Sequence, residues 1–198
     1  MASIYASETE VVNAALSSLG ERPIRDYATD TVKAAVEARR WFPATIDDEL
    51  MKFDWPFAIT RVEITADATA PSFGWVSRFA LPADCIRFFP LTDNGEDSGN
   101  PVSHKVEGGF ILSDLNGPIK LRYIKDASTV TEWPSNFSKV FVAALAVKVA
   151  ENITGLSQAV PSAAARYQEA VESARRFESR QSGTMPEGYS SSWIEARS

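Results

Sequence analysis

The residues of this sequence that could do chemistry are few. The chain has one cysteine, Cys85, and one histidine, His104. A Ser–His–Asp or Cys–His mechanism would have to use His104, which lies beside a polar segment that we expect to be exposed, so we interpret it as a surface histidine. Cys85 follows Asp84 at the predicted start of a strand, where a small buried thiol is expected. Neither residue indicates a nucleophile.

Carboxylates are the other reactive groups, because acid–base catalysis of glycoside hydrolysis requires only a pair of Asp or Glu side chains. The chain has 26 acidic residues, including the run Asp47-Asp48-Glu49. Successive residues on a helix point in different directions, so we predict that this run forms a solvated face. We predict that no residue is catalytic and that the protein is not an enzyme. A peptidoglycan hydrolase with a carboxylate pair stays as the alternative function.

The sequence has no motif for phosphate, nucleotide or zinc binding. It lacks a Gly-rich phosphate loop, a G-x-S-x-G elbow, an H-E-x-x-H run and paired C-x-x-C motifs. A single cysteine excludes an intramolecular disulfide, and one histidine leaves too few ligands for a common zinc site. A calcium or magnesium site built from carboxylates alone stays open, but we predict no metal and no cofactor.

Charge and hydropathy limit the partners. The net charge is −6, and no basic run is longer than the pairs Arg39-Arg40 and Arg175-Arg176. Tight DNA binding requires clustered basic residues and is disfavoured, whereas a channel wall past which DNA slides tolerates acidity. No apolar stretch reaches the roughly 18 residues of a membrane span, and the N-terminus lacks signal-peptide features. We expect folding in a reducing cytosol and no membrane partner.

Two helices are predicted in the first quarter of the chain. A capping-box spacing at Ser7 and a helical apolar period predict a helix over residues 7–19, ended by Gly20. A second helix is expected to be capped by Asp30 and to run to Leu50. Pro43 should kink this helix or end it early.

The middle of the chain changes to short alternating runs between residues 57 and about 123, which predict a small antiparallel sheet. Gly108-Gly109 is typical of a hairpin turn. The polar, glycine-rich segment 93–101 is predicted to be an exposed loop.

Helical spacing returns at Pro134. Apolar residues on most of the circumference of the helix up to Gly155 predict burial on more than one side, either inside the domain or between subunits. A final helix is expected from about Pro161 to Ser182-Gly183. The residues after it contain three apolar anchors, Tyr189, Trp193 and Ile194, which we predict to bind a partner.

The fold class predicted from these elements is α+β and mainly helical: an antiparallel helical bundle with a small antiparallel β-sheet insertion and an extended C-terminal tail. Residues 1–56 and 130–182 would form the helical bundle domain, residues 57–129 the β-rich insertion domain, and residues 183–198 the tail. Trp55 is expected in the core, where its ring would join helix to sheet.

Four segments of the chain form a recognisable series. They run from Asn13 to Ile24, from Asp54 to Ala58, from Phe79 to Arg87 and from Leu121 to Ile124. In this order they resemble the tail tubular protein A family of short-tailed phages, whose members are head-to-tail adaptors related to the tail accessory factors. The resemblance spans about residues 5 to 180. Pro43 and Pro56 depart from the family pattern.

The resemblance implies a structural virion protein. It would form a ring of twelve subunits at the head–tail interface, with the portal protein above it and the tail nozzle or next tail protein below. DNA would pass through the lumen without specific binding during genome ejection, and assembly would take place in the host cytoplasm. Some relatives have been linked to peptidoglycan hydrolysis, but no family catalytic residue matches a position here.

Overall fold

The computed structural model describes residues 3–181 and shows a mixed α+β fold over this range. Two helices precede six strands and two helices follow them. The helices are α1 (Glu8–Ser18), α2 (Lys33–Lys52), α3 (Ser135–Thr154) and α4 (Ala159–Gln181). The strands are β1 (Ile59–Ile64), β2 (Ser77–Ala80), β3 (Cys85–Phe88), β4 (His104–Glu107), β5 (Phe110–Ser113) and β6 (Ile119–Lys125).

Helix α1 begins with the predicted capping box. The Ser7 hydroxyl accepts a hydrogen bond from the Glu10 amide at 3.3 Å, and the Glu10 carboxylate accepts one from the Ala6 amide at 2.7 Å. These bonds satisfy amides that have no partner inside the helix. Gly20 follows with φ +76°, a backbone conformation that favours glycine.

Helix α2 corrects two predictions. Pro43 is exposed and lies inside the 20-residue helix, which it neither ends nor shortens. Asp30 does not cap the helix, whose N-cap residue is Val32 and which has no side-chain cap. The Asp30 carboxylate instead accepts the Arg25 and Asp26 amides at 2.6 and 3.3 Å, which stabilises the preceding turn.

Helix α3 lies at the centre and contacts α1, α2 and α4. Nine of its residues are buried, from Phe137 near its start to Ala150 near its end. Its own chain therefore covers these nine side chains, whereas the apolar residues Val142, Ala143 and Val147 stay partly exposed. Burial inside the domain accounts for most of the apolar circumference, and burial between subunits stays a prediction for the rest. Gly155 ends α3 with φ +67°, as predicted, and its amide donates to the Glu151 carbonyl at 3.0 Å.

The strands form two three-stranded antiparallel sheets instead of the single predicted one. The first sheet has the order β1-β6-β3 and the second the order β2-β5-β4. The predicted hairpin at Gly108-Gly109 is confirmed as the β4–β5 connection. One strand, β6, joins the layers: alternate side chains Ile119, Leu121 and Tyr123 pack with the second sheet, while Ile124 packs with the helices.

An aromatic cluster fills the junction between the helices and the first sheet. Trp133 lies within 5.0 Å of Phe137 and 4.6 Å of Phe141, measured between ring centroids. Trp55 contacts Phe137 at 5.0 Å from the other side. Trp55 is buried, which confirms its predicted place in the core.

Both buried indoles are hydrogen-bonded to the backbone. Trp55 Nε1 donates to the Glu49 carbonyl at 3.0 Å, and Trp133 Nε1 donates to the Ala127 carbonyl at 2.6 Å. The first bond joins the last turn of α2 to the connection after it, and the second closes the connection between β6 and α3. The rings therefore fix the angle at which the chain leaves α2 and enters α3.

We predict that Phe141→Ala lowers the free energy of unfolding by about 3–5 kcal/mol, because it opens a cavity among fully buried rings. The matched control is Phe73→Ala, since Phe73 is 88% exposed, and its effect should stay within about 0.5 kcal/mol. Urea denaturation followed by far-UV circular dichroism measures both. Equal losses in the two variants would contradict the assignment of Phe141 to the core.

Candidate functional site

The predicted partner-binding residues Tyr189, Trp193 and Ile194 lie outside the described residues, as does the whole predicted tail, residues 183–198. Their role stays a prediction. Candidate sites within residues 3–181 are therefore sought among exposed surfaces and charged clusters.

The three carboxylates of the run Asp47-Asp48-Glu49 are directed to three different environments. Asp47 is exposed, and Asp48 pairs with Lys148 of α3 at 3.0 Å. Glu49 is 1% exposed. The prediction of separate directions is confirmed, but the prediction of a solvated face is wrong for Glu49.

Glu49 forms the most enclosed charged cluster of the described chain. Its carboxylate accepts hydrogen bonds from the Tyr167 hydroxyl, 3.1 Å from each oxygen, and from Lys52 Nζ at 2.7 Å. The Lys52 ammonium also lies 5.3 Å from the centre of the Tyr167 ring. The cluster joins α2 to α4, because Glu49 and Lys52 lie one turn apart on α2 and Tyr167 lies on α4.

A structural role follows from this geometry. A buried carboxylate is tolerated when an ammonium and further hydrogen bonds replace its water. Here both oxygens are engaged by side chains of the same chain, and burial closes them to a substrate. Asp48, the neighbouring acid, is bound to Lys148. The run therefore stabilises the contacts of α2 with α3 and α4.

The two partners of Glu49 have perturbed protonation equilibria. Burial raises the pKa of the Tyr167 hydroxyl above its ordinary value of 10.0, and the Glu49 charge raises it further. For Lys52, burial acts to lower the pKa, but the hydrogen bond and charge of Glu49 outweigh it, so the pKa of this ammonium is raised.

His104 and Cys85 are both half-buried residues at the starts of strands. His104 Nδ1 lies 2.8 Å from the Val102 carbonyl oxygen, and its ring is 5.8 Å from that of Phe88. The prediction of a plain surface histidine is therefore corrected to a packed one. Burial, together with the nearby Asp84 charge, raises the pKa of the Cys85 thiol, which disfavours the nucleophilic thiolate.

The predicted loop 93–101 is mostly exposed, but it is also tied down. Thr92 pairs with Pro101 at its base, and the Asp93 carboxylate accepts the Asn100 amide and side chain at 2.9 and 2.8 Å. These hydrogen bonds to Asn100 hold the pKa of Asp93 below its ordinary value.

Ion pairs hold the same loop against the first sheet. Glu96 pairs with Arg61 of β1 and Arg122 of β6, and Asp97 also pairs with Arg122. The Arg122 guanidinium stacks on Phe89 at 4.4 Å. The loop is therefore held in one position on the sheet. The composition of the segment predicted its exposure but not these ion pairs.

Metal ligands and membrane spans are not found in the described range. Within residues 3–181, no three His, Cys, Asp or Glu side chains lie close enough together to hold a metal ion. None of the helices in this range has the length and apolar character needed to cross a bilayer.

Several large apolar side chains are exposed in the described range, and six of them lie in two groups at separate places. The sheet-end patch consists of Phe73, Val76 and Leu115, which are 88%, 53% and 40% exposed. Its two loops are joined by a hydrogen bond from the Val76 amide to the Asp114 carboxylate at 3.3 Å. Sequence reasoning missed this patch, because nothing in residues 65–76 distinguishes an exposed Phe from a buried one.

The helical-end patch consists of Val32, Val36 and Leu156, which are 53%, 43% and 64% exposed. Val32 and Val36 lie at the start of α2, and Leu156 follows α3, whose Asn152 donates to Glu37 at 2.9 Å. Helix α2 has 20 residues and is about 30 Å long, so this patch is separated by about that distance from the first sheet at the other end of the helix.

Comparison with known proteins adds no assignment, since no family model matches the chain and no curated protein matches it significantly.

We predict that Glu49→Ala lowers the free energy of unfolding by about 1–3 kcal/mol. The estimate is moderate because the Lys52 ammonium, with 46% of its side chain exposed, can turn toward water. The control is Asp47→Ala on the same helix, expected within about 0.5 kcal/mol. Chemical denaturation measures both, and a neutral Glu49→Ala would contradict a structural role for the cluster.

Stability should also fall with rising pH above about 10. The folded state favours protonated Tyr167 and Lys52, since both pKa values are raised. Their contribution is complete at lower pH and is lost as each group deprotonates. Tyr167→Phe should therefore lose less stability between about pH 9.5 and 11 than the parent chain, measured by thermal unfolding in a pH series. Identical slopes would contradict the coupling.

Proposed function

We propose that this chain is a structural head-to-tail adaptor of a virion, which forms a ring between portal and tail and performs no catalysis. The observation that carries the proposal is the arrangement of the four segments that resemble the tail tubular protein A family. Three of them are joined to one another by side-chain bonds, and the first packs into the core of the helices.

Side-chain bonds link the second, third and fourth segments, and the first is closed on itself. The Asn13 side chain exchanges two hydrogen bonds with the Ile24 backbone, at 2.8 and 3.0 Å, which close the first segment on itself. Arg87 of the third segment pairs with Asp54 of the second. The Tyr123 hydroxyl of the fourth donates to Asp84 of the third at 3.1 Å.

These contacts support the resemblance at the level of fold. If several segments together form the junction between helices and sheet, related chains with the same junction are expected to keep all of those segments. The step from shared fold to shared function is an analogy, because one fold can serve several functions. In this proposal the helices form an antiparallel bundle domain, and residues 57–129 form the inserted β-rich domain.

Two separate exposed patches suit a protein that connects two partners. Nine residues of α3 are buried by its own chain, so much of this helix is closed to ring and partner contacts. The sheet-end patch and the helical-end patch provide apolar area for them. Tyr189, Trp193 and Ile194 provide a further contact, to the portal protein. The tail nozzle or next tail protein would bind at the opposite end.

The acidic net charge of −6 fits a passage for DNA that does not grip it. Twelve copies in a closed ring would enclose the lumen. The proposed location is the virion, at the head–tail interface, after assembly in the host cytoplasm.

We predict that light scattering detects a large, discrete oligomer of this chain, alone or mixed with its cognate portal. Phe73→Asp should shift that oligomer toward monomer by at least about tenfold in apparent dissociation constant, because it places a charge in an apolar contact. The control is Thr69→Asp, an exposed polar position in the same loop. Monomeric chain in both samples would contradict the adaptor proposal.

A further inference from the structure

Strand β1 is an open edge of the first sheet. In the order β1-β6-β3 it pairs with β6 alone. Its central residues Arg61, Val62 and Glu63 are all exposed. Within residues 3–181, the backbone of these three residues makes no hydrogen bond outside the ladder with β6. A strand edge with free N–H and C=O groups can pair with a further strand.

The ladder shows which backbone groups of β1 point outward. The Phe89 amide donates to the Arg122 carbonyl at 2.9 Å, so the backbone groups of Arg122 face β3. Successive residues of a strand direct these groups to opposite edges, so the next residue back, Leu121, bonds with its β1 partner Val62. The two residues beside Val62 therefore direct their N–H and C=O groups away from the sheet.

The side chains along this edge are complementary to themselves. When two copies of β1 lie antiparallel with Val62 opposite Val62, Arg61 of each copy lies opposite Glu63 of the other. The backbone allows this register, because the outward-facing residues 61 and 63 then form hydrogen-bonded pairs and Val62 forms a non-hydrogen-bonded pair. Opposite charges directly across two strands stabilise their pairing. The partner that this edge fits best is therefore a second copy of the same strand.

Both charges are accessible for such a contact. The Glu63 carboxylate has no ion pair within residues 3–181 and is exposed. Arg61 pairs with Glu96, but 60% of its side chain is exposed, and the five N–H groups of a guanidinium can bind a second carboxylate. The exposed edge strand β4 differs, since it has four residues and its Lys105 and Glu107 pair with each other at 2.6 Å.

We infer that two copies of this chain associate through their β1 edges and join their first sheets into one six-stranded antiparallel sheet. Val62 lies at the two-fold axis, with an Arg61–Glu63 pair on each side of it. Such a contact uses the same surface of both copies and cannot repeat around a cyclic ring. The pairing therefore belongs to the free chain and goes beyond the adaptor function proposed above, on which it does not depend.

Disulfide trapping tests the register in a Cys85→Ala background. Val62→Cys places two thiols across a non-hydrogen-bonded pair, whose Cα atoms lie about 4.5 Å apart, within the range of a disulfide. The matched control is Thr60→Cys on the same face of β1, because the two copies of residue 60 lie about 13 Å apart in this register. We expect disulfide-linked dimer at least about tenfold faster for Val62→Cys, at about 100 µM chain because a contact of this size is weak.

Charge reversal tests the partner in the same Val62→Cys chain. Arg61→Glu and Glu63→Arg each place like charges across both pairs, so each should slow cross-linking to the rate of the Thr60→Cys control. A mixture of the two variants restores opposite charges at both pairs and should restore the rate, which also shows that both variants are folded.

Equal rates for Val62→Cys and Thr60→Cys would overturn the inference, as would rates that charge reversal leaves unchanged. A mixture no faster than its components, with melting temperatures equal to that of the parent, would also overturn it. None of these failures would affect the oligomer measurement with the portal that tests the adaptor function.

Discussion

Two buried indole rings impose the constraint on which the rest of this structure depends. Trp55 and Trp133 are packed against Phe137, so their N–H groups must find acceptors away from water. They find them in the carbonyls of Glu49 and Ala127, at the two points where the chain passes between helices and sheet. The position of the first sheet on the helices follows from these bonds. Glu49 acts in both directions. Its carbonyl accepts the Trp55 N–H beside the sheet, and its side chain accepts the Tyr167 hydroxyl of α4.

Local patterns made the helices predictable. The capping box before α1, the Gly155 terminator and the Gly108-Gly109 hairpin each depend on neighbours in sequence, and all three are found.

Features that depend on distant contacts were not predictable in the same way. The split into two sheets follows from how β6 divides its side chains between two cores. The burial of Glu49 had a usable signal, since it lies at helical spacing from Ile46 and Phe53, but its acidic type pointed to solvent. Asp30 failed as a cap because it binds the preceding turn instead.

The charged groups of the molecule divide into those that hold the fold and those that remain on its surface. Glu49, Asp48, Arg87 and Arg122 each join two parts of the fold, so these charged side chains serve the structure. The surface left over is acidic in sum, with apolar patches at the sheet end and the helical end. A rigid interior with separate contact surfaces suits a protein that connects two partners at fixed positions. It is on these grounds, together with the family resemblance of the junction segments, that we favour assembly over catalysis.

The central claim is that copies of this chain close into a ring, and the rotational symmetry of its complex with the cognate portal tests it most directly. Negative-stain electron microscopy of that complex, with end-on views classified without imposed symmetry, supplies the measurement. The account predicts a closed ring with an open centre and twelve-fold symmetry. End-on particles with no closed symmetry, or a portal that carries no added density, would contradict it.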